Sequence, residues 1–433
     1  MMCTVIIVTI VIVCVTKNQN EKKNDIVVDN SMNEESSGVQ VDDGQKTVLD
    51  IISEVYSCIK YDEEMYRDYI MDGCDSMDVL YDDGNLVYYG YESWPSHHFY
   101  FLNNKGLFID VALVEDIDYC DNNVIRLKQI SNTLTVDFND FNSINEFVEY
   151  NSVKPFFQRY FYDHSYQVEY AYIDSETGTS TYNGSYVLYI DFPDSNMKYN
   201  DEISKWLADL LCRSLNFGQE LDTLTSLYIY CNKNIVDDVD YNNNYVNIDS
   251  LSKFVADIYL DYVKDTNNNS NQHSVTSIMY RYNDLRVYIA TDEFVTYQMS
   301  EEGYEGGAHG YYTQELVSFD PHTQTEIDFD YLFRPECKKD VEKTFVEAAS
   351  KNEKVAECLS SDKQYLYNLF SARDDEGKIL DELELPRPAL AENGVCFSFQ
   401  PYDISCYADG IFHIIVPYEM LKPYLTERAK ELL

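Results

Sequence analysis

Apolar and polar residues recur with two different periods along most of this chain, after an opening that has neither. Residues 5–15, "VIIVTIVIVCV", are apolar apart from Thr9, and "TKNQNEKKNDIVVDNSMNEESSG" follows at once, Asn-rich and too polar to build a core. The run is shorter than the roughly 18 to 20 residues of a spanning helix. It predicts a signal peptide or membrane anchor over residues 1–15 and a disordered tether over 16–46. In 47–150, helical spacing in "VLDIISEVYSCIKYDEEMYRDYI" gives way to short alternating segments, "NLVYYGYE", "HFYFLN", "LFIDVALVED", "VIRLKQI" and "LTVDFNDF". A helix followed by a meander predicts a small α+β domain.

The remainder reads as two further α+β regions, 154–273 and 274–433. "YQVEYAYID" and "SYVLYIDFPD" have the period of strands and flank the turn-rich "SETGTSTYNG". "DEISKWLADLLCRSL" is an amphipathic helix with Asp201 as its N-cap and Trp206, Leu207, Leu210 and Leu211 on its apolar face. A second helix, "LSKFVADIYLDYVKD", precedes "VTSIMYRYN" and "LRVYIATDEFVTYQMS", for which a hairpin across "NDL" is expected. "YYTQELVSFDPHTQTEIDFDYLF" predicts a strand, a Pro-containing turn and another strand. "KDVEKTFVEAASK" is helical, and the last forty residues give strand, turn, strand and terminal helix. The expected class is α+β, with antiparallel sheets and packed helices.

Composition narrows the partners. At 433 residues and 45% hydrophobic content the chain can bury more than one core. Its 32 basic and 76 acidic residues give a formal charge of −44, which excludes nucleic acid, whose phosphates need clustered Lys and Arg, and favours a basic protein. Forty tyrosines suit half-buried strands and recognition surfaces alike. None of the eleven cysteines forms a C-x-x-C pair, which removes the common zinc-ribbon and thioredoxin-type readings. Cys396 and Cys406 lie on neighbouring apolar segments and could approach each other, although buried free thiols are the simpler reading. Cys14, in "VIVC", is a lipidation candidate, but Val13 stands where a lipoprotein signal has a small residue and no Lys or Arg precedes the run.

Candidate chemistry is sparse. In "EGGAHGYYTQELVSFD", His309 lies among Gly306, Gly307 and Gly310, and a metal site could be drawn from it with Glu305 and His322. A zinc site needs three or four converging ligands, and none of the seven histidines has another four residues away. The glycines more simply supply positive φ or close packing, with His309 hydrogen-bonding across a turn. Asp82 and Asp83 in "LYDDGN" read as a turn. Asp265, Asn267 and Asn269 in "DTNNNS" have the alternation of a calcium loop, but Ser270 replaces the turn glycine, so an Asn-rich disordered loop is expected. No P-loop and no G-x-S-x-G elbow occurs. No cofactor, metal or catalytic residue is assigned.

"GGAHG" followed by "SFDPHTQTEIDFDYLF", and later "FSFQPYDISCYADGIFHIIVPYEMLKPYL", resemble the C-terminal extracytoplasmic domain family of RsiV-type anti-sigma factors and PdaC-type proteins. The similarity covers 274–425, and the strands from about Gln167 look like its usual partner domain. The helix-then-sheet order of 47–150 is similar to cystatin-like or nuclear-transport-factor-2-like envelope domains. The motif positions are Gly306, Gly307, His309, Gly310, Phe319, Asp320, Tyr402, Gly410, Pro417 and Tyr424, read as structural. The resemblance implies an ectodomain outside the membrane, and in RsiV-type proteins that ectodomain binds lysozyme. An apolar run so near residue 1 leaves no sigma-binding part ahead of it, and the His-x-x-x-His of a PdaC-type deacetylase is absent. The expectation is a non-catalytic envelope binding or sensing protein, exported and tethered through an N-terminal lipid or anchor, with a basic partner such as lysozyme. The alternatives are a cell-wall glycan hydrolase or deacetylase, and an envelope scaffold without a soluble ligand.

Overall fold

The computed structural model describes residues 78–433 except 94–97, 104–107, 112–113, 115, 121–122, 131–132, 152–153, 175–177, 215–245, 270–277, 306–308 and 375. The apolar run with Cys14, the tether and the helix expected over 48–70 lie outside these residues. The chain forms two compact units, one of residues up to Arg126 with Thr135–Asn151, the other of Leu127–Leu134 with Ser152–Leu433.

In the first unit, β1 (Asp78–Asp82), β2 (Val87–Ser93), β3 (His98–Asn103) and β4 (Phe108–Val111) form an antiparallel meander. Strands β5 (Asp116–Cys120), β6 (Val124–Lys128) and β7 (Thr133–Asp137) form a second sheet, and α1 (Phe141–Asn151) follows. Phe101, Tyr88 and Phe138 form a triangle of rings with centroids 5.2 to 5.8 Å apart, and Phe101 meets Phe147 of α1 edge-on at 5.1 Å. "YDDG" is a turn: Asp82 Oδ1 accepts from Gly84 N, Asp83 Oδ1 accepts from the amides of Asn85 and Leu86, and Gly84 has φ +86°.

The second unit is built on six strands in the order β13-β12-β11-β10-β9-β8: β8 (Phe157–Asp174), β9 (Gly178–Pro193), β10 (Ile278–Ala290), β11 (Val295–Tyr304), β12 (Tyr311–Asp320) and β13 (Thr325–Glu326). Helices α2 (Asn200–Ser214) and α3 (Ile248–Asn269) lie in the crossover between β9 and β10. That long connection makes β9 and β10 parallel in an otherwise antiparallel sheet. Ile203, Trp206, Leu207, Leu210 and Leu211 recur at helical spacing on α2 and pack with Leu188, Ile190, Val255 and Tyr297. Asn200, one residue before the expected cap, opens α2 and donates from Nδ2 to Pro193 O and Asp194 O. Asp201 stands in the first turn, where a negative charge suits the helix dipole.

Two expectations are overturned. Strand β10 runs through "NDL" without a hairpin, since residues 283–285 pair with β9 on one side and β11 on the other. Buried Asn283 and Asp284 are tolerated there because Asn283 Nδ2 donates to Tyr186 Oη and Asp284 pairs with Arg286 at 2.9 Å. The reversal comes at residues 291–294, where Thr291 Oγ1 accepts from the amides of Glu293 and Phe294. The expected Asn-rich loop is the last turn of α3, which continues to Asn269.

The remaining elements form a second core. They are α4 (Phe329–Leu332), α5 (Lys338–Ala349), α6 (Glu353–Cys358), α7 (Lys363–Phe370), the hairpin of β14 (Ser371–Arg373) and β15 (Ile379–Leu383), and the sheet of β16 (Pro388–Leu390), β17 (Gly394–Phe399) and β18 (Phe412–Pro417), closed by α8 (Tyr418–Leu421) and α9 (Glu427–Leu432). Cys396 is buried and Cys406 exposed, and both are free thiols. Phe345 of α5 is fully buried, with Phe370 and Phe397 edge-on at 5.0 and 5.2 Å and Phe399 at 6.0 Å. Phe345→Ala should therefore cost about 3–5 kcal/mol in urea unfolding. A loss under about 1 kcal/mol would mean that this aromatic cluster does not hold the second core.

Candidate functional site

Strand β12 has two differently occupied faces, because successive side chains point to opposite sides. Val317 and Phe319 face the α2 and α3 layer, where Phe319 stacks on Trp206 at 4.8 Å. Gln314, Ser318 and Asp320 face the C-terminal elements. There Ser318 Oγ accepts from Leu390 N at 2.8 Å and meets Thr296 Oγ1, which donates to Leu390 O at 3.0 Å. The C-terminal half of β12 is buried throughout, while Tyr311, Tyr312 and Thr313 at its start are only half-buried.

A surface cluster of aromatic side chains gathers at that half-buried end. His309 lies 4.6 Å from Tyr407, ring to ring; Tyr402 and Tyr312 lie at 5.6 and 5.5 Å from it. Tyr402 is 64% exposed and reaches His309 Nε2 with its hydroxyl at 3.5 Å, while His309 Nδ1 lies 2.6 Å from Gly310 O. Tyr407 donates to Gly310 O at 3.1 Å. Glu302 is held near by the Tyr280 hydroxyl at 3.3 Å, and burial together with the Glu302 charge raises the Tyr407 phenol above its usual range. Two glycines allow the approach. A Cβ on Gly310 would stand 2.8 Å from Gly303 O, and one on Gly410, at φ +69°, would stand 2.9 Å from the Tyr312 hydroxyl.

Polar clasps beneath the cluster fix its position. Gln400 grips Gln314 by both main-chain groups, accepting from its N–H at 2.9 Å and donating to its carbonyl at 3.0 Å. Asp403 caps the same turn by accepting from Gln400 N at 2.7 Å, and Tyr402 between them has φ +75°. Below lies His413, buried, with Ser398 Oγ 2.9 Å from Nδ1 and Gln314 Oε1 2.9 Å from Nε2. Since the amide oxygen can only accept, Nε2 carries the proton and Nδ1 accepts from Ser398. On the opposite face Arg281 bridges Glu301 at 3.3 Å and Glu305 at 3.0 Å and donates to the Tyr311 hydroxyl at 2.7 Å. Burial pushes the Glu301 carboxyl up against the pull of Arg281. Gly303 makes room, because a Cβ there would meet the Tyr311 hydroxyl at 2.6 Å.

The other motif positions lie apart. Asp320 is buried at the far end of β12, where it pairs with Arg428 of α9 at 2.8 Å and accepts from Tyr331 and the amides of His322 and Thr323. Burial opposes its charge, but these bonds hold the carboxyl below the usual range. Pro417 ends β18 at the N-cap of α8, and the Tyr424 carbonyl accepts from Arg334 N at 3.0 Å. Gly306 and Gly307 lie outside the described residues. His322 bonds Tyr199 and Asp292 O, each at 3.0 Å. The ten residues of β12 separate it from His309 by about 33 Å, so the two cannot share an ion. Among the described residues no group of three His, Cys, Asp or Glu side chains could hold a metal.

Residues 330–419 match DUF3298, a protein family of unknown function. The DUF3298 segment supplies Ser398, Gln400, Tyr402, Tyr407, Gly410 and His413, whereas His309, Tyr312 and Gln314 precede it. No curated protein matches the chain. A DUF3298 member from Bacteroides fragilis NCTC 9343 is 18% identical over 64% of this chain and 96% of its own, with a TM-score of 0.36. A DUF3298 family protein from Pseudomonas aeruginosa PAO1 is 11% identical over 63% and 96%, with a TM-score of 0.35.

His413 was not among the residues expected to matter, although a lone His in the apolar "IFHIIVP" opposite Ser398 in "CFSFQ" was a readable signal. Burial, with a smaller contribution from Lys354, lowers its pKa to about 3. The unfolded chain takes up a proton near the ordinary value of about 6.5, and the native state does not until far lower. Stability should therefore fall by up to about 1.4 kcal/mol per pH unit below about pH 6.5, levelling near pH 3. Urea unfolding across that range should show a shallower slope for His413→Gln, and an unchanged slope would show that His413 is protonated in the native state.

Proposed function

We propose that this is a non-catalytic binding or sensing protein of the cell envelope, tethered by its N-terminal segment, and that the cluster around Tyr402 and Tyr407 contacts its partner. The carrying observation is an exposed aromatic group, fixed from below, on a chain with a formal charge of −44. Tyrosines anchor protein interfaces because they bury a large area at small conformational cost, and an acidic field accelerates encounter with a basic partner. A lysozyme-type muramidase is the basic protein to which the RsiV-like resemblance points. In support of a binding role, the pair most like a nucleophile and base, Ser398 and His413, is buried, and the second imidazole nitrogen is occupied by Gln314.

Equilibrium and stopped-flow binding of the full chain in mild detergent to a basic lysozyme, at low and moderate salt, tests this reading. An unrelated protein of similar charge serves as control. Lysozyme should bind more tightly than the control at both salt levels, with association slowing as salt rises. Binding no stronger than the control overturns the partner, and salt-independent association overturns the electrostatic part.

A further inference from the structure

Resting on that reading of the site, we propose that the cluster of His309, Tyr402 and Tyr407 is a receptor for one cationic side chain, an arginine or lysine presented by the partner. Aromatic faces attract a cation within about 6 Å of a ring centroid, most strongly where the site is partly desolvated. His309 and Tyr402 lie 4.6 and 5.6 Å from Tyr407, ring to ring, so a cation seated on the Tyr402 or Tyr407 face would have a second ring beside it. His309 and Tyr402 are tilted by 38° and 37° against Tyr407, and Tyr312 stands at 79° to it, so the group is splayed rather than closed by parallel stacking. Tyr402 and His309 are exposed, which leaves the outer side open to solvent.

The charges around the rings select the sign of the guest. Glu302, oriented by Tyr280, adds its charge to the burial that raises the Tyr407 phenol, while Asp403 follows Tyr402 in the chain and accepts from Gln400 N, and Asp409, two residues after Tyr407, accepts from Ser405. Lys354 stands close by: its ammonium donates to Ile411 O at 2.7 Å, lies over the Phe412 ring at 5.1 Å and adds to the Ser405 hydrogen bond in holding the Asp409 carboxyl below its usual range, so Glu302 and Asp403 rather than Asp409 carry the preference for a cation. A neutral sugar could stack on Tyr402 without using the carboxylates, and it therefore fits less of what is present.

Binding of blocked amino acids to the full chain, followed by NMR of the tyrosine rings, tests this without any lysozyme. The probes are N-acetyl-arginine methylamide, N-acetyl-lysine methylamide, the neutral isostere N-acetyl-citrulline methylamide, and chitotriose. The two cations should shift the rings saturably, with citrulline weaker by about 2- to 30-fold. Tyr402→Leu should weaken the cations by a similar factor, Tyr402→Phe should retain them, and Tyr365→Leu, an exposed position on α7, should change nothing. No saturable shift at the highest soluble concentration, equal binding of citrulline, preference for chitotriose, or indifference to Tyr402→Leu would each overturn the proposal. Cation binding without lysozyme binding removes only the partner, whereas lysozyme binding that survives Tyr402→Leu removes only the cation receptor.

Discussion

Burial of β12 on both faces is the constraint on which the second unit depends. A strand covered on both sides cannot leave a main-chain or side-chain polar group unpaired without a cost of about 1–3 kcal/mol each. The polar positions at its buried end are accordingly all satisfied. Ser318 joins Thr296 and Leu390 in a closed hydrogen-bonded circuit that ties the C-terminal sheet to the larger one. Asp320 gathers Tyr331, Arg428 and two amides at the strand's end. Slipping β12 by one residue would turn Ser318 and Asp320 toward the apolar α2 and α3 layer and Phe319 away from Trp206, so these contacts also fix the register.

The half-buried end of the same strand carries the consequences to the surface. Tyr311 and Tyr312 are consecutive and therefore point apart, one into the Arg281 network and the other to the aromatic cluster. A single strand thus couples a buried ion group under one face to an exposed group on the other. Holding Tyr402 at φ +75° costs about 1–2 kcal/mol for a residue with a Cβ. The Gln400 clasp and the Asp403 cap oppose that strain with hydrogen bonds that exist only while the turn keeps its shape.

How much of this was legible in the sequence depended on whether a signal was local. Strand alternation, the apolar stripe of α2 and the order of the C-terminal elements follow from nearest-neighbour pattern, and the α+β class follows with them. "NDL" misled because Asn and Asp favour turns in isolation, and only the distant Tyr186 hydroxyl and Arg286 make them acceptable inside β10. The parallel pairing of β9 with β10 is likewise invisible locally, being set by the length of the crossover. "DTNNNS" misled in the opposite direction, because an established helix propagates through weak formers once nucleated.

The cluster was legible only in halves. The glycines around His309 and the "PYDISCYADG" turn were each recognisable as shaped backbone, but nothing local says that 93 residues later Tyr402 returns to His309. What joins them is the Gln314, Gln400, Ser398 and His413 arrangement, three residues on three strands and Gln400 just past the end of β17, each unremarkable alone. Had the turn served only to connect β17 to β18, no such buried apparatus would be needed, since a surface loop can satisfy its own polar groups with water. Burying an imidazole, a hydroxyl and the Gln314 amide beneath an exposed tyrosine carries a cost that a simple connection would not require.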